Sequence, residues 1–214
     1  MVKVVYMDKR YWEEFYKERG LDKDISDQST FASFCADKFF QNGKKNILEL
    51  GSGNGRDAIF FAKNEHNVIA IEQSVDHKNQ SKMDANSIKV LSENFVTYDY
   101  NSIPSIDIFY SRFTLHAITK SEENILLPKI YNCLQSDGLF CIEVRTINDP
   151  LFGKGESKGD NAYFTDHYRR FIDSNSFLKS TLELGFKLLY FTEENNLSIY
   201  GDDNPVLMRL VLQK

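Results

Sequence analysis

Two apolar periods alternate along this 214-residue chain. Short runs dense in apolar and β-branched residues recur at 46–50 (NILEL), 67–71 (NVIAI), 94–98 (NFVTY), 106–110 (IDIFY) and 138–144 (GLFCIEV), and these read as strands. Helical spacing separates most of them. One helix is predicted from about Arg56 to Asn64. Another begins near Thr119, where Thr119-x-x-Glu122 can form a capping box, with Pro128 kinking it before Cys133 and Leu134. Alternating strands and helices predict a parallel sheet covered on both faces.

The ends of the chain depart from that rhythm. Residues 8–20 (DKRYWEEFYKERG) place Tyr11, Trp12, Phe15 and Tyr16 on one helical face, with Gly20 as the stop. A second helix, capped by Ser29 or Thr30, carries the stripe Phe31, Phe34, Cys35 and Phe39 and ends at Asn42-Gly43. After the fifth strand comes a Gly/Lys-rich loop, Leu151 to Ala162, with Gly153, Gly155 and Gly159. Thr165 is expected to cap a helical stretch (HYRRFID), and a further helix ends at Gly185. The runs at 186–192 and 205–212 then predict an antiparallel hairpin on the sheet edge, joined by a long polar connection at 193–204. With no composition break, residues 1–214 read as one domain: a helical lid over 1–42 and a core over 43–214.

Composition narrows the class. A formal charge of −5 argues against a dedicated nucleic-acid face. Cys35, Cys133 and Cys141 lack paired or metal-ligand spacing and read as reduced thiols, so no metal site is expected. No run is long enough to span a membrane, and Met1 to Arg10 lacks the apolar core of a signal peptide, so a cytoplasmic location is expected.

The candidate chemistry begins at Ile47–Ala58 (ILELGSGNGRDA). A strand enters three glycines at alternate positions, Gly51, Gly53 and Gly55, and a helix follows. Such glycines allow a sharp turn and let a ligand lie against bare backbone. A dinucleotide fingerprint would place its third glycine at 56, where Arg56 stands; the pattern here is E-x-G-x-G-x-G. Strand–turn–helix units of this kind bind nucleotide-like cofactors. Glu72 follows the second strand, 21 positions after Gly51, where its carboxylate can accept both hydroxyls of a ribose. Asp99, after the third predicted strand, can accept from an adenine amino group.

ILELGSGNGRDAIFFA, AIEQS, VTYDY, YSRFTLHAI and CLQSDGLF resemble successive motifs of class I S-adenosylmethionine (SAM)-dependent methyltransferases. GNGRDAIFFA and YSRFTLHAI are similar to the tellurite-resistance/thiopurine-methyltransferase-like group. YWEEFY and FGKG…TDHYRRFI resemble the methyltransferase domain of O-antigen chain-terminating kinase–methyltransferases. The resemblance implies a Rossmann-like α/β fold with a mostly parallel seven-stranded sheet, an antiparallel C-terminal hairpin and an N-terminal helical lid. It also implies SAM as cofactor, with S-adenosylhomocysteine as product. By it, Gly51, Ser52, Gly53 and Gly55 would pack against the methionyl part and ribose, Glu72 would hold the ribose, Gln73 would lie beside the adenine and Asp99 would read its amino group. Tyr16 and Ser111 or Arg112 would border the methyl end, with Tyr11 and Phe31 as further lid contacts. Arg56 and Asp57 are read as helix-start residues, the carboxylate favourable with the helix dipole.

The acceptor end is less defined. Tyr110–His116 (YSRFTLH) lacks the [DN]-P-P-[YFW] motif of amino-group methyltransferases, which disfavours DNA-adenine or protein-glutamine methylation. His116 is a candidate base or a core histidine bonded to backbone. Glu143 and Arg145 end the fifth strand at the same rim, unless they form an ordinary salt bridge. His167, Arg169 and Arg170, with Lys154 and Lys158, form a basic cluster suited to an anionic or polyhydroxylated acceptor. Arg169 is favoured over Arg170 as the residue reaching the pocket; the alternative pairs both with Asp166 and Asp173 on the surface. The activity expected is O-methylation of a small sugar, phosphosugar or glycan end in surface-polysaccharide metabolism. Thiol or chalcogenide methylation, or SAM binding without catalysis, are the alternatives.

Overall fold

The computed structural model describes residues 11, 12, 14, 15, 27–74, 77–84, 86, 88–103 and 105–214. Its centre is a seven-stranded sheet in the order β3-β2-β1-β4-β5-β10-β9. The strands are β1 (Asn46–Leu50), β2 (Asn67–Ile71), β3 (Lys89–Leu91), β4 (Ile106–Arg112), β5 (Leu134–Arg145), β9 (Lys187–Glu194) and β10 (Leu207–Gln213). The first five pair parallel, while β10 runs antiparallel to both β5 and β9. The expected C-terminal edge hairpin is therefore present. A small antiparallel sheet, β6 (Glu156–Gly159), β7 (Ala162–Phe164) and β8 (Tyr168–Arg170), stands apart.

Helices cover both faces. They are α1 (Thr30–Phe39), α2 (Arg56–Lys63), α3 (His77–Asp84), α4 (Lys120–Cys133) and α5 (Ser174–Glu183). Because side chains alternate along a strand, β1 sends Ile47 to one core and Leu48 and Leu50 to the other. The first core takes Phe31 and Cys35 from α1 and Ala58 and Phe61 from α2. The second takes Leu126, Leu127 and Ile130 from α4 and Phe177 from α5. Ser29 caps α1, and Thr119 with Glu122 forms the expected capping box of α4. Pro128 lies inside α4, which continues to Cys133. No described helix is long and apolar enough to cross a membrane.

Two expectations are corrected. The third strand is Lys89–Leu91, paired with Ile69–Ile71, and not 94–98. Asn94 bends that later segment: its side chain accepts from Val96 N (2.8 Å) and its carbonyl from Tyr98 N (3.0 Å), so local bonds replace strand pairing. Phe95 and Val96 are still buried in the core, which explains their apolar pattern. The second correction concerns HYRRFID, which forms strand β8 and not a helix; β6 likewise occupies part of the supposed loop at 151–162. Tyr168 and Arg170 are buried and Arg169 less so, a period of two in place of a helical turn.

Asp57 joins the N-terminal segment to the sheet. It accepts from Ser29 N (2.6 Å), Ser29 Oγ (2.7 Å) and the Tyr110 hydroxyl (2.8 Å), all buried. Its place in the first turn of α2 also suits a negative charge. Asp57→Ala should leave the Ser29 amide and Tyr110 hydroxyl without their acceptor. We expect a stability loss of about 2–4 kcal/mol by urea unfolding, since one buried orphan costs about 1–3 kcal/mol; a loss within error of zero would mean that Asp57 does not hold this junction.

Candidate functional site

Strand order reverses between β1 and β4, and ligands of open α/β sheets bind at such points beyond the carboxyl ends of the strands. Here that region is a cavity of about 560 Å³. Its floor is the turn after β1. Gly51 has φ +64° and a Cβ there would lie 2.4 Å from Thr114 Cγ2; Gly55 has φ +77° and a Cβ would meet Met83 Sδ at 2.6 Å. Both positions thus exclude a side chain twice over, by conformation and by space.

Glu72, directly after β2, is held by two backbone donors: Gly53 N to Oε2 (2.9 Å) and Ser74 N to Oε1 (2.8 Å). Glu49 lines the same end, buried, and its Oε2 has no hydrogen-bond partner among the described residues. Burial, with Asp57 nearby, pushes the Glu49 carboxyl well above the usual carboxylate range.

The end of β4 supplies the next wall. Arg112 Nε donates to Glu143 Oε1 (2.9 Å) and Nη2 to Ser198 Oγ (2.6 Å), and the guanidinium lies 4.4 Å from the Phe113 ring centroid. Phe113 has φ +56°, an uncommon conformation for a bulky residue, held by Phe113 N donating to Glu143 O (2.9 Å). That reversal starts the 3₁₀ turn Leu115–Ala117, which presents buried His116 to the cavity. Arg170 fixes the turn from behind, donating to Ile118 O (2.9 Å) and Leu115 O (3.2 Å) and pairing with buried Glu123.

The far end is basic. His167 and Arg169, from the segment of β8, and Arg145, ending β5, line the cavity with His116. Arg169 Nη2 donates to His167 Nε2 (2.9 Å), which makes that nitrogen the acceptor and places the ring proton on Nδ1. Asp166 Oδ1 lies 3.0 Å from Nδ1 without hydrogen-bond alignment. Tyr11 stacks on the His167 ring at 4.2 Å, and Trp12 meets it edge-on at 5.4 Å. Burial, reinforced by Arg169, lowers the His167 pKa to about 4. Burial, with Arg169 and Arg145, holds His116 well below the usual imidazole range. Both rings are therefore neutral near pH 7. The last wall is the β9–β10 connection, from Ser198 to Asp203 with Pro205.

Residues 47–138 match the family model described as a methyltransferase domain. The chain is 26% identical over 118 residues to carboxy-S-adenosyl-L-methionine synthase of Nautilia profundicola. That alignment covers 52% of this chain and 49% of the relative, so the chain spans about half of the relative's length. In structure it is similar to Burkholderia thailandensis 1,6-didemethyltoxoflavin-N1-methyltransferase, with a TM-score of 0.73 at 14% identity over 97% of this chain and 87% of that one. That neighbour holds 1,6-didemethyltoxoflavin and S-adenosylhomocysteine. A glycopeptide N-methyltransferase with bound S-adenosylhomocysteine gives a TM-score of 0.63 at 14% identity, covering 87% of this chain and 90% of that one. Residues 47–138 thus resemble a methyltransferase domain, and the whole chain has the Rossmann-like fold of these methyltransferases.

Within this methyltransferase fold, the structure gathers much of the predicted set at one cavity: Tyr11, Gly51, Ser52, Glu72, Gln73, Arg112, His116, His167 and Arg169. Others lie elsewhere. Phe31 is fully buried against Tyr110, with ring centroids 5.3 Å apart. Ser111 is buried with its hydroxyl on Thr114 Oγ1. Gly53 and Gly55 are buried in the turn and do not line the cavity. Asp99 is outside the lining too; it is exposed and caps the turn Tyr100–Ser102, because the third strand ends earlier than expected. Tyr16 lies outside the described residues, as does most of the proposed 1–42 lid. Glu143 is wholly buried and not at the rim, Arg170 pairs with Glu123, and Asp173 caps α5, so the surface pairs with Asp166 and Asp173 do not form. Phe113, Thr114 and the wall at 198–205 were not readable as site residues; only the unusual length of that connection signalled a role.

The neutral histidines make stability depend on pH. A His167 that titrates at about 4 when folded, against about 6.5 unfolded, leaves the unfolded chain binding more protons between those values. Stability should therefore rise with pH across that window and fall on acidification, by about 2 kcal/mol between pH 7 and 5 from this group. Denaturant unfolding at both values, compared with His167→Gln, checks this: the variant should lose that part of the pH dependence, and an unchanged slope would refute the assignment.

Proposed function

We propose that this chain binds SAM at the glycine turn and transfers its methyl group to an oxygen of a small acceptor held at the basic end of the cavity. The observation that carries the reading is the cavity itself, in which the Gly51–Gly55 turn and Glu72 lie at one end and neutral His116 faces the other. The residues fit the cofactor. The turn offers backbone where a side chain would collide with Thr114 or Met83. Glu72 is acceptor-only, anchored by two amides, and each of its oxygens can accept more than one bond, as ribose hydroxyls require.

When bound, SAM supplies an electrophilic methyl on a sulfonium centre. The protein's part is alignment, exclusion of water and removal of a proton. Tyr11, Trp12 and Phe15 line the cavity with large apolar surface that keeps water out. His116, neutral near pH 7 and with Nδ1 unbonded, can take a hydroxyl proton as the carbon–oxygen bond forms. Arg170 is a positioning residue, since it holds the turn that carries His116. An oxygen nucleophile needs a proton acceptor, and His116 is the uncharged candidate that faces the cavity; a soft thiol or chalcogenide needs no such help. The sequence resemblance supports a sugar, phosphosugar or glycan end in surface-polysaccharide metabolism as the acceptor class.

Calorimetry with S-adenosylhomocysteine should show one site. Glu72→Ala should weaken it by about 1–3 kcal/mol, the scale of bonds to a charged acceptor; unchanged affinity in a folded variant would remove the ribose assignment. Methyl transfer should be assayed on sugars, phosphosugars and thiols. His116→Gln should lower kcat on the oxygen acceptor by about 10²–10⁴ with cofactor affinity level. Full activity of this variant, on thiols above all, would favour the soft-nucleophile reading. Cofactor binding with no turnover on any acceptor would favour a non-catalytic role.

A further inference from the structure

We propose that the basic end of the cavity is a receptor for a carboxylate or phosphate group on the acceptor, built from Arg169 and Arg145, and that Asp203 occupies Arg145 until that group arrives. The proposal rests on the reading of the cavity as the acceptor site.

The first observation is an imbalance of charge. Arg112 and Arg209 share Glu143, Arg170 pairs with Glu123, and Arg145 pairs with Asp149 and Asp203. Arg169 has no carboxylate within ion-pair distance among the described residues; its side-chain bond is to neutral His167. Burial, and then the neighbouring positive Arg145, hold its guanidinium below the usual range; Asp166 and Asp203 act against this from beyond ion-pair distance. A half-buried guanidinium beside a second arginine is costly unless an anion joins them. Its planar fork suits carboxylate and phosphate oxygens.

The second observation is a free hydrogen-bonding atom at the same end. His116 is 4% exposed, lines the cavity, and its Nδ1 has no hydrogen-bond partner among the described residues. An acceptor whose anion sits on Arg169 would therefore find a vacant nitrogen in the same chamber.

The third observation separates the two partners of Arg145. The Asp149 side chain is 0% exposed, four residues along the chain, and bonds Nη1 at 2.9 Å. The Asp203 side chain is 42% exposed, sits on the β9–β10 connection and contacts Nη2. Asp149 is built in; Asp203 is a solvent-exposed carboxylate that another anion can replace. Tyr200 and Asp203 exchange backbone bonds at 2.9 Å, so Asp203 belongs to a compact turn in the cavity wall. Exchange at Arg145 would thus couple acceptor binding to the position of that wall.

The test titrates the full chain, with and without saturating S-adenosylhomocysteine, against inorganic phosphate, glucose 6-phosphate, succinate and glucose. The expectation is that phosphate, carboxylate or both bind, and that neutral glucose does not compete. The arm that binds tighter identifies the group. Arg169→Gln should weaken the anion at least tenfold and Arg169→Lys by less, with cofactor affinity unchanged. Asp203→Asn, which removes the resident carboxylate, should tighten the anion several-fold; a merely structural Asp203 would leave it level or weaken it. Absence of anion binding by the native chain, or an Arg169→Gln variant that binds as the native chain does, overturns the receptor. Level or weaker binding by Asp203→Asn overturns the exchange. Failure to bind S-adenosylhomocysteine would instead sink the cofactor reading, because the anion titration without it is read independently.

Discussion

Glu143 is the charge on which the site's walls depend. It lies wholly buried in the middle of the sheet, in register with Arg112 on β4 and Arg209 on β10, and gives one oxygen to each. Three buried charges are stable only with good geometry and further bonds to the remaining donors. Those further bonds reach outward. Arg112 takes Ser198, and Arg209 takes Thr30 Oγ1 (2.7 Å) and Leu197 O (3.0 Å). The first turn of α1 and the β9–β10 connection are thereby tied to the carboxyl ends of the strands. An apolar trio of the same volume could pack the sheet as well, but it could not hold these two segments at the rim.

The cavity that results carries charges of both signs along its walls. Asp57 and Glu72 stand near the glycine turn with Arg56 and Arg112, while Arg145, Arg169 and Asp203 line it beside the histidines. On the reading proposed above, Glu72 faces the cofactor and the guanidinium of Arg169 faces the acceptor. The histidines stay neutral because both are buried, and a further positive charge beside Arg169 and Arg145 adds to that cost. That cost leaves His116 as an uncharged hydrogen-bonding group facing the cavity.

Sequence legibility followed the range of the interactions. The glycine turn and Glu72 were readable because a strand, three glycines and one acid act within about one supersecondary unit. Helix caps at Ser29 and Thr119 were readable for the same reason. The third strand was misplaced because an Asn94 side-chain turn imitates a strand's apolar content without its pairing. Arg169 and Arg170 looked like helical neighbours. Strand pairing with Ala162 and Tyr163 instead sends one into the cavity and the other behind His116, and no local pattern reveals that partner. The Ser198–Asp203 wall depends on arginines from distant strands, Arg112 and Arg145, so only its length could be seen.

This division has a consequence for how chemistry is distributed over the fold. The family match ends at residue 138, and it contains the glycine turn, Glu72 and His116. Arg145, His167, Arg169 and Asp203 all lie beyond it. The stretch that matches the family therefore holds the end of the cavity proposed for the cofactor and the turn that carries His116. The end proposed for the acceptor is built from a small extra sheet and a hairpin connection, elements outside the parallel strands. One fold can host unrelated functions when its binding loops vary on a constant scaffold; here the loops at the cavity's basic end are fastened to the sheet by a few long-range charges. In this chain those charges are the paired Arg112, Arg145 and Arg209, while Arg169 of β8 has no carboxylate at ion-pair distance among the described residues.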